Sequence, residues 1–222
     1  MVEFAKFEDY QNMFIVIEGI DGAGKGRQRL ELTNELQSLG QKCTSVEFPD
    51  HEGVLYREFI KPTLLQKRKM SKDALFLSFA LDQVLYSGAI AKAKGSRSEH
   101  FICDGYFTTN LVYNALVNKF ISLEKALDFA KTFNLEAADL NIFIDTEPEV
   151  ALSRKKIEPG HLEGLDIYER DLNKQRELRA AYLKMAAENV FGSWQIVPGN
   201  GSIIEVKTEI ISLLKKHKLI FD

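Results

Sequence analysis

Residues 13–30 read MFIVIEGIDGAGKGRQRL, and this stretch decides the fold. It begins with an apolar, β-branched run, passes through a loop rich in glycine, and ends in a segment whose leucines recur with a helical period. A strand, a glycine loop and a helix in this order are the setting of a phosphate-binding loop. Backbone N–H groups at the loop and at the helix start favour an anion there. The stretch therefore predicts a phosphate site, the alternative being a plain glycine turn between strand and helix.

The loop fits the pattern of a phosphate-binding loop except at Gly26, where the pattern has a serine or threonine that ordinarily holds Mg²⁺. Gly-Lys-Gly resembles the adenylate kinase loop, so this loss does not argue against phosphoryl transfer. Glycines let the backbone approach a phosphate closely, and Lys25 adds a point charge for the outer phosphates. We expect the donor nucleotide to contact Gly19, Ile20, Asp21, Gly22, Ala23, Gly24, Lys25, Gly26 and Arg27.

Length and composition predict one α/β domain over residues 1–222. The net charge of −3 implies no large basic surface, so nucleic acid is not expected as a partner. No apolar run approaches the ~20 residues of a membrane span, and the first 12 residues do not form a signal peptide, so we expect no membrane partner and a cytoplasmic location. Cys43 and Cys103 are expected to be reduced, buried residues.

Strands alternate with helices along the rest of the chain. The predicted strands are 13–18, 42–48, 101–104, 140–145 and 194–197. The predicted helices are 24–37, 54–61, 72–94, 107–118, 122–134, one after a capping box of Thr146 and Glu149, 166–189, and one after a capping box of Ser202 and Glu205. This alternation predicts a parallel sheet covered on both faces, with the glycine loop at its carboxyl edge, where such folds bind ligands.

Two acids and a basic segment are further candidates for chemistry. Asp104 ends a buried strand beside the loop and could orient Mg²⁺, or it could simply cap a helix or be solvated. Asp21 either accepts a hydrogen bond from a substrate hydroxyl or braces the loop. The basic run of Arg154, Lys155 and Lys156 precedes a glycine-bearing crossing. Such cations can close over a transferring phosphoryl group, although a solvated helix end gives the same pattern.

Six further motifs follow the loop in the chain. They are EFPD at 47–50, LSFALDQ at 77–83, FICDGYFTTNLVYN at 101–114, IFIDTEPEVALSR at 142–154, LDIYERDLNKQRELRAAYLKMA at 165–186 and WQIVPGNGSIIEV at 194–206. With the loop, and in this order, they resemble the thymidylate kinase family of P-loop nucleoside monophosphate kinases. The resemblance implies a three-layer P-loop NTPase fold with a five-stranded parallel sheet, helices on both faces and a short lid at about 154–166. It also implies ATP and Mg²⁺, a deoxynucleoside monophosphate acceptor such as dTMP, and a homodimer.

The resemblance also assigns roles to residues. Lys25 would hold the donor phosphates, and Asp21 would take the sugar hydroxyl of the acceptor. Phe79, which periodicity alone places in the core, would stack on the pyrimidine ring. The acceptor pocket would be lined by Phe48, Tyr106 and Tyr113. Because Gly22 occupies a position that is arginine in some members, the lid (Arg154, Lys155 and Lys156) would supply the catalytic cation.

Three positions depart from the family, which has arginine where this chain has His51, Gln83 and Gly105. In the family the first and third grip the acceptor phosphate and the second reads the base. Losing two charge-assisted hydrogen bonds would cost roughly 3–6 kcal/mol unless other groups replace them. Arg57, Lys61 and Arg27 are nearby cations that could do so, and Gln83, which both donates and accepts, could still read a pyrimidine.

We therefore expect an enzyme that phosphorylates a nucleoside monophosphate with ATP, most simply dTMP to dTDP. The departures leave two alternatives open. One is a non-catalytic nucleotide-binding protein on the same fold, and the other is a kinase for a different nucleotide or for a nucleoside.

Overall fold

The computed structural model describes residues 13–95, 99–157 and 171–216. Five strands in these ranges form one parallel sheet in the order β2-β3-β1-β4-β5. The strands are β1 (Phe14–Glu18), β2 (Lys42–Glu47), β3 (Glu99–Asp104), β4 (Ala138–Asp145) and β5 (Gly192–Pro198). The predicted five-stranded parallel sheet is therefore confirmed.

β1 forms the centre of the sheet. All five of its residues are at most 1% exposed, so both of its faces are covered, as is usual for a central strand of a parallel sheet. It pairs with β3 from Phe14 to Ile17 on one side, and with β4 from Ile15 to Glu18 on the other. Since parallel strands end at the same edge, the loop after Glu18 emerges between the carboxyl ends of β3 and β4.

Nine helices and two π-helical segments surround the sheet in the described part of the chain. The helices are α1 (Lys25–Ser38), α2 (Lys61–Leu64), α3 (Lys72–Val84), α4 (Ser87–Gly95), α5 (Phe107–Asn110), α6 (Leu123–Thr132), α7 (Pro148–Ile157), α8 (Leu172–Ala187) and α9 (Ile203–Lys216). The π-helical segments are Tyr56–Ile60, which leads into α2, and Leu111–Val117, which continues α5.

Most predicted boundaries agree with the structure within a few residues, and four local predictions were wrong. The helix expected over 54–61 is π-helical from Tyr56 to Ile60 and continues through Pro62 as α2. The helix expected over 72–94 is two helices, with a turn at Leu85 and Tyr86. The helix expected over 107–118 is mostly π-helical. The capping box at Thr146 does not form, because the Thr146 hydroxyl is buried and has no hydrogen-bond partner in the described ranges. The box of Ser202 and Glu205 is present in both directions.

Residues 72–95 also bear on the expectation that no segment could span a membrane. An 18-residue window in this stretch has a mean hydropathy of 1.5, so by length and composition alone it is long and apolar enough to cross a bilayer. The expectation that no segment is long and apolar enough to span a membrane was therefore too strict. Core helices of globular proteins meet the same criteria, and here the stretch carries the buried polar residues Asp82 and Gln83 and packs on β3 and β1 through α4.

Some predictions fall outside the described residues. These are the leader at 1–12, the surface loop at 96–98, the start of the helix predicted from 166, and the lid beyond residue 157. Cys43 and Cys103 are both free, as expected, although Cys43 is only half-buried.

Candidate active site

The glycine loop leaves β1 and turns tightly into α1. Gly22 and Gly24 have φ angles of +86° and +93°, in the left-handed region that glycine adopts without strain. A Cβ on Gly22 would lie 2.3 Å from the carbonyl oxygen of Ala151, so the loop is pressed against α7. A side chain at this position would require the loop or α7 to shift.

Lys25 begins α1 and reaches back over its own loop. Its Nζ donates to the carbonyl oxygen of Ile20 at 3.3 Å and lies 3.7 Å from Oδ1 of Asp21. The first N–H groups of α1 have no partner within the helix and carry the positive end of its dipole. A cation and a helix N-terminus at one place are the features that favour an anion, so the phosphate site stays a prediction that this geometry suits.

Asp104 lies at the end of β3, beside the loop. A Cβ on Gly26 would lie 3.1 Å from its Oδ2, so the carboxylate stands next to the position where the P-loop hydroxyl is missing. Burial raises the pKa of Asp104 above its usual value, and the charges of Lys25 and Arg29 oppose that rise. Mg²⁺ commonly binds through one or two carboxylates, with waters and substrate phosphates completing its shell. A single Asp104 carboxylate at the phosphate loop fits that requirement.

Arg29 is a cation that the sequence analysis did not single out. It lies one turn after Lys25 on α1, donates to the Ser45 hydroxyl at 2.6 Å, and approaches the Glu47 carboxylate at 3.9 Å. Its Nε is buried and has no hydrogen-bond partner within residues 13–95, 99–157 and 171–216. The spacing of four residues from Lys25, which places both on one helix face, was the available signal.

Asp21 connects the loop to the segment that follows β3. The Tyr113 hydroxyl donates to Asp21 Oδ2 at 2.9 Å, and Lys25 faces the other carboxylate oxygen. Asp21 and Tyr113 were both predicted to contact the acceptor, and the structure brings them together. The Asp21 side chain is still 31% exposed, so it can contact a ligand while it accepts the hydrogen bond from Tyr113.

Arg154 lies between two loops. One of its guanidinium nitrogens donates to the Ala23 carbonyl at 3.4 Å, and the other donates to the Gly201 carbonyl at 2.7 Å. It thus connects the phosphate loop to the loop between β5 and α9. Lys155 and Lys156 follow it in the last turn of α7, and Lys156 is exposed.

Aromatic side chains pack at the start of the predicted acceptor pocket. Phe48 is half-buried, with its ring centroid 5.2 Å from Tyr86 and 5.7 Å from Tyr106. Tyr106 is fully buried and packs edge-on against Phe14 at 5.0 Å, so it supports Phe48 from the core. Phe79 is half-buried on α3, one turn before Gln83.

The loop after β2 is tied to α3 by a polar network. Asp82 Oδ2 accepts a hydrogen bond from the Asp50 N–H at 2.8 Å, and the Tyr86 hydroxyl donates to Asp50 Oδ2 at 2.8 Å. Burial raises the pKa of Asp82 to about 6, and the neighbouring Asp50 charge adds to that rise. This network fixes residues 50 and 51 against the helix that carries Phe79.

The three positions that lack arginine have different surroundings. Nδ1 of His51 lies 3.0 Å from Glu47 Oε1, and its ring stacks on Tyr56 at 4.2 Å. Gln83 is 3% exposed, and its Oε1 has no hydrogen-bond partner among the described residues. Gly105 has a φ of +64°, and a Cβ there would lie 3.1 Å from the Thr109 hydroxyl.

The cations suggested as replacements are exposed side chains. Arg27 is 58% exposed and pairs with Glu31 on its own helix at 2.8 Å. Arg57 and Lys61 are exposed on the helical segment after His51. Arg29, which approaches Glu47 at 3.9 Å, also opposes the rise in the pKa of Asp104, although the charge of Lys25 opposes that rise more strongly.

The comparisons with known proteins decide the family. A model of the thymidylate kinase family matches residues 17–210. The chain belongs to the thymidylate kinase family. The sequence-based identification of the family, and of a nucleoside monophosphate kinase, is therefore confirmed.

Relatives align with nearly the whole chain. A probable thymidylate kinase of Pyrococcus horikoshii is 29% identical over 214 residues, which cover 93% of this chain and 97% of the relative. A thymidylate kinase of Synechococcus is 27% identical and covers the same shares of the two chains. The solved structure of the Candida albicans thymidylate kinase has a TM-score of 0.73 over 96% of each chain at 21% identity, which supports the P-loop fold.

The packing of Gly22 yields a prediction. Gly22→Ala should reduce ATP affinity at least tenfold, because its Cβ cannot coexist with the Ala151 carbonyl and the loop must move away from α7. Titration calorimetry with ATP and Mg²⁺ measures the affinity. Gly40→Ala is the matched control, since Gly40 has a φ of +79° but open space around it and lies at the far end of α1. Wild-type affinity in Gly22→Ala would show that the loop does not depend on this contact.

Proposed function

We propose that this protein transfers the γ-phosphoryl group of ATP to dTMP, giving ADP and dTDP. The observation that carries the proposal is the phosphate loop of a thymidylate kinase family member, with Lys25 inside it and Asp21 joined to Tyr113 on the acceptor side. An acceptor phosphate oxygen forms the new bond to the γ-phosphorus as the bond to the bridging oxygen of ADP breaks. Catalysis then rests on positioning and on neutralising charge, without a covalent intermediate.

More contacts in the structure support the proposed ATP site than the proposed acceptor site. The loop N–H groups and Lys25 would hold the β- and γ-phosphates, and Asp104 is the carboxylate suited to hold Mg²⁺, which would neutralise phosphate charge. We propose that Arg154 fixes the donor loop, because its guanidinium already joins the Ala23 and Gly201 carbonyls. Lys155 and Lys156 would then supply the lid cations that act on the transferred group.

The acceptor side carries the departures from the family. We propose that Phe79 stacks on the base, that Gln83 reads its edge, and that His51 and Arg29 replace part of the lost phosphate grip. Two observations support this. The Gln83 Oε1 is buried and has no partner among the described residues, so it lacks the hydrogen bond that a base N–H would supply, and Arg29 approaches Glu47 at 3.9 Å and acts on the charge of Asp104. Phe48, Tyr113 and Arg57 would complete the acceptor surroundings, with the buried Tyr106 packed behind Phe48 and not in contact with the acceptor.

The substrate is tested by ADP release from ATP and Mg²⁺ across a panel of nucleoside monophosphates and nucleosides. We expect dTMP to be turned over, and Lys25→Ala to reduce kcat at least a hundredfold, because the cation on the donor phosphates is lost. The same purification of Lys25→Ala controls for contaminating kinases. Turnover of another monophosphate or a nucleoside would reassign the acceptor. Binding of ATP without turnover of any acceptor would favour the non-catalytic alternative.

We also propose a cytoplasmic homodimer that works on small nucleotides, not on nucleic acid or membranes. Leu77, Leu81 and Leu85 are 50%, 47% and 68% exposed and follow one another at intervals of four residues. Residues spaced by four lie on one helix face, so α3 and the turn after it present an apolar stripe. An exposed stripe of this kind is typical of a surface that a partner covers, and a second copy is the simplest partner.

Leu81→Glu should convert the dimer to a monomer, because it places a charge in the middle of that stripe. Sedimentation velocity measures the mass of the particle. Ile204→Glu is the control, since Ile204 is 75% exposed on α9, away from the stripe. A wild-type protein that sediments as a monomer, or a Leu81→Glu protein that remains dimeric, would contradict the proposed interface.

A further inference from the structure

Glu18 is an acid at the active site to which neither the family resemblance nor the proposed function gives a role. It is the last residue of β1, directly before the glycine loop, and it is fully buried. Thr108 donates a short hydrogen bond to Oε1, and the Thr109 hydroxyl lies 3.2 Å from Oε1 and 2.9 Å from Oε2. A buried carboxylate that accepts bonds from two hydroxyls is a specific arrangement, since burying it unpaired would be costly.

Four titratable groups on different elements influence Glu18 or its partner Tyr182. Three of them are Lys25 on α1, Cys103 on β3 and Tyr182 on α8, and the fourth, Asp21 in the loop, acts on Tyr182. Burial raises the pKa of Glu18 to about 7, while the two threonine hydroxyls and Lys25 oppose that rise. The carboxyl therefore exchanges its proton in the neutral range, unlike an ordinary surface glutamate.

The two threonines belong to the segment that carries the acceptor side of the site. Thr108 and Thr109 lie in α5, and the π-helical segment that continues it bears Tyr113, which donates to Asp21. The loop region and this segment are thus joined at two points, Glu18 in the interior and Asp21 at the surface. Hydrogen bonds at two places fix both the distance and the relative rotation between the loop region and this segment.

We propose that the Glu18 carboxylate is a positioning residue that sets the acceptor segment against the donor loop through Thr108 and Thr109. The proposal rests on the proposed function, because it concerns the alignment of donor and acceptor. As a carboxylate, Glu18 accepts from both hydroxyls. As an acid, Glu18 carries a proton on one oxygen, which then donates instead of accepting, so the bond to that oxygen weakens or breaks and the segment is held less firmly.

The kinetic test compares the pH dependence of kcat at saturating ATP and dTMP. Wild-type kcat should fall about tenfold per pH unit below a pH near 7. Glu18→Gln should be at least tenfold slower at pH 8 and should lack this inflection, with a KM for ATP within about twofold of wild type. Glu124→Gln, which changes an exposed glutamate on α6, should keep the wild-type profile. A wild-type profile in Glu18→Gln would overturn the proposal.

Thr108→Val provides a second variant in case Glu18→Gln folds poorly. Valine keeps the shape of threonine but removes a hydroxyl that lowers the pKa of Glu18. The inflection should therefore move to higher pH, which a merely structural role would not cause. An unshifted inflection in Thr108→Val would also contradict the proposal.

The pH dependence of the free energy of unfolding tests the protonation of Glu18 without any acceptor substrate present. The native state binds this proton more tightly than the unfolded chain, so the free energy of unfolding falls as pH rises from 4.5 to 7. Urea unfolding should show a smaller fall in Glu18→Gln. A missing difference would overturn the assigned titration. If this difference is present but no acceptor is turned over at any pH, the proposed function fails and the positioning role fails with it. Turnover of dTMP with an unchanged Glu18→Gln profile refutes only the positioning role.

Discussion

The site depends on the pairing of β1 between β3 and β4. Phe14–Glu18 are buried on both faces and hydrogen-bonded on both edges, so the strand has no freedom to shift its register. Its last residue therefore delivers the glycine loop to a fixed place between the ends of the neighbouring strands. Asp104 at the end of β3 and Asp145 at the end of β4 lie at the same carboxyl edge of the sheet. The Asp145 carboxylate pairs with Arg179 and holds α8 against the sheet.

Most of the fold could be predicted from sequence, because its signals are local. Five apolar runs, each followed by a loop and a helical period, indicate a parallel α/β sheet whatever their later contacts. The errors occur where tertiary packing overrides a local pattern. The apolar period of residues 72–94 continues through Leu85 and Tyr86, yet the chain turns there. Thr146 has the sequence of a helix cap, but it is buried against Gly199 and leaves its hydroxyl without a described partner.

The residues of the candidate site also fall into those that a local sequence signal marks and those that only the folded structure reveals. The glycine loop, Lys25, Asp21 and Asp104 could be found because a loop pattern or a strand end marks them. Glu18 could not, since its partners lie 90 and 91 residues away and its apolar surroundings exist only in the folded chain. Arg29 was overlooked for a similar reason, because its contacts with Ser45 and Glu47 on β2 exist only in the folded chain. The Gly22 contact with α7 could not be predicted either, because Ala151 lies far along the chain.

The central claim is that one chain holds an adenine and a thymine nucleotide with their phosphates meeting at Lys25. An analogue that links adenosine and thymidine through their 5′-phosphates occupies both sites at once and tests this claim most directly. Titration calorimetry should show it to bind at least a hundredfold more tightly than ATP, and Lys25→Ala should remove most of that gain. An affinity no better than that of ATP would show that the two sites do not meet, and it would contradict the account.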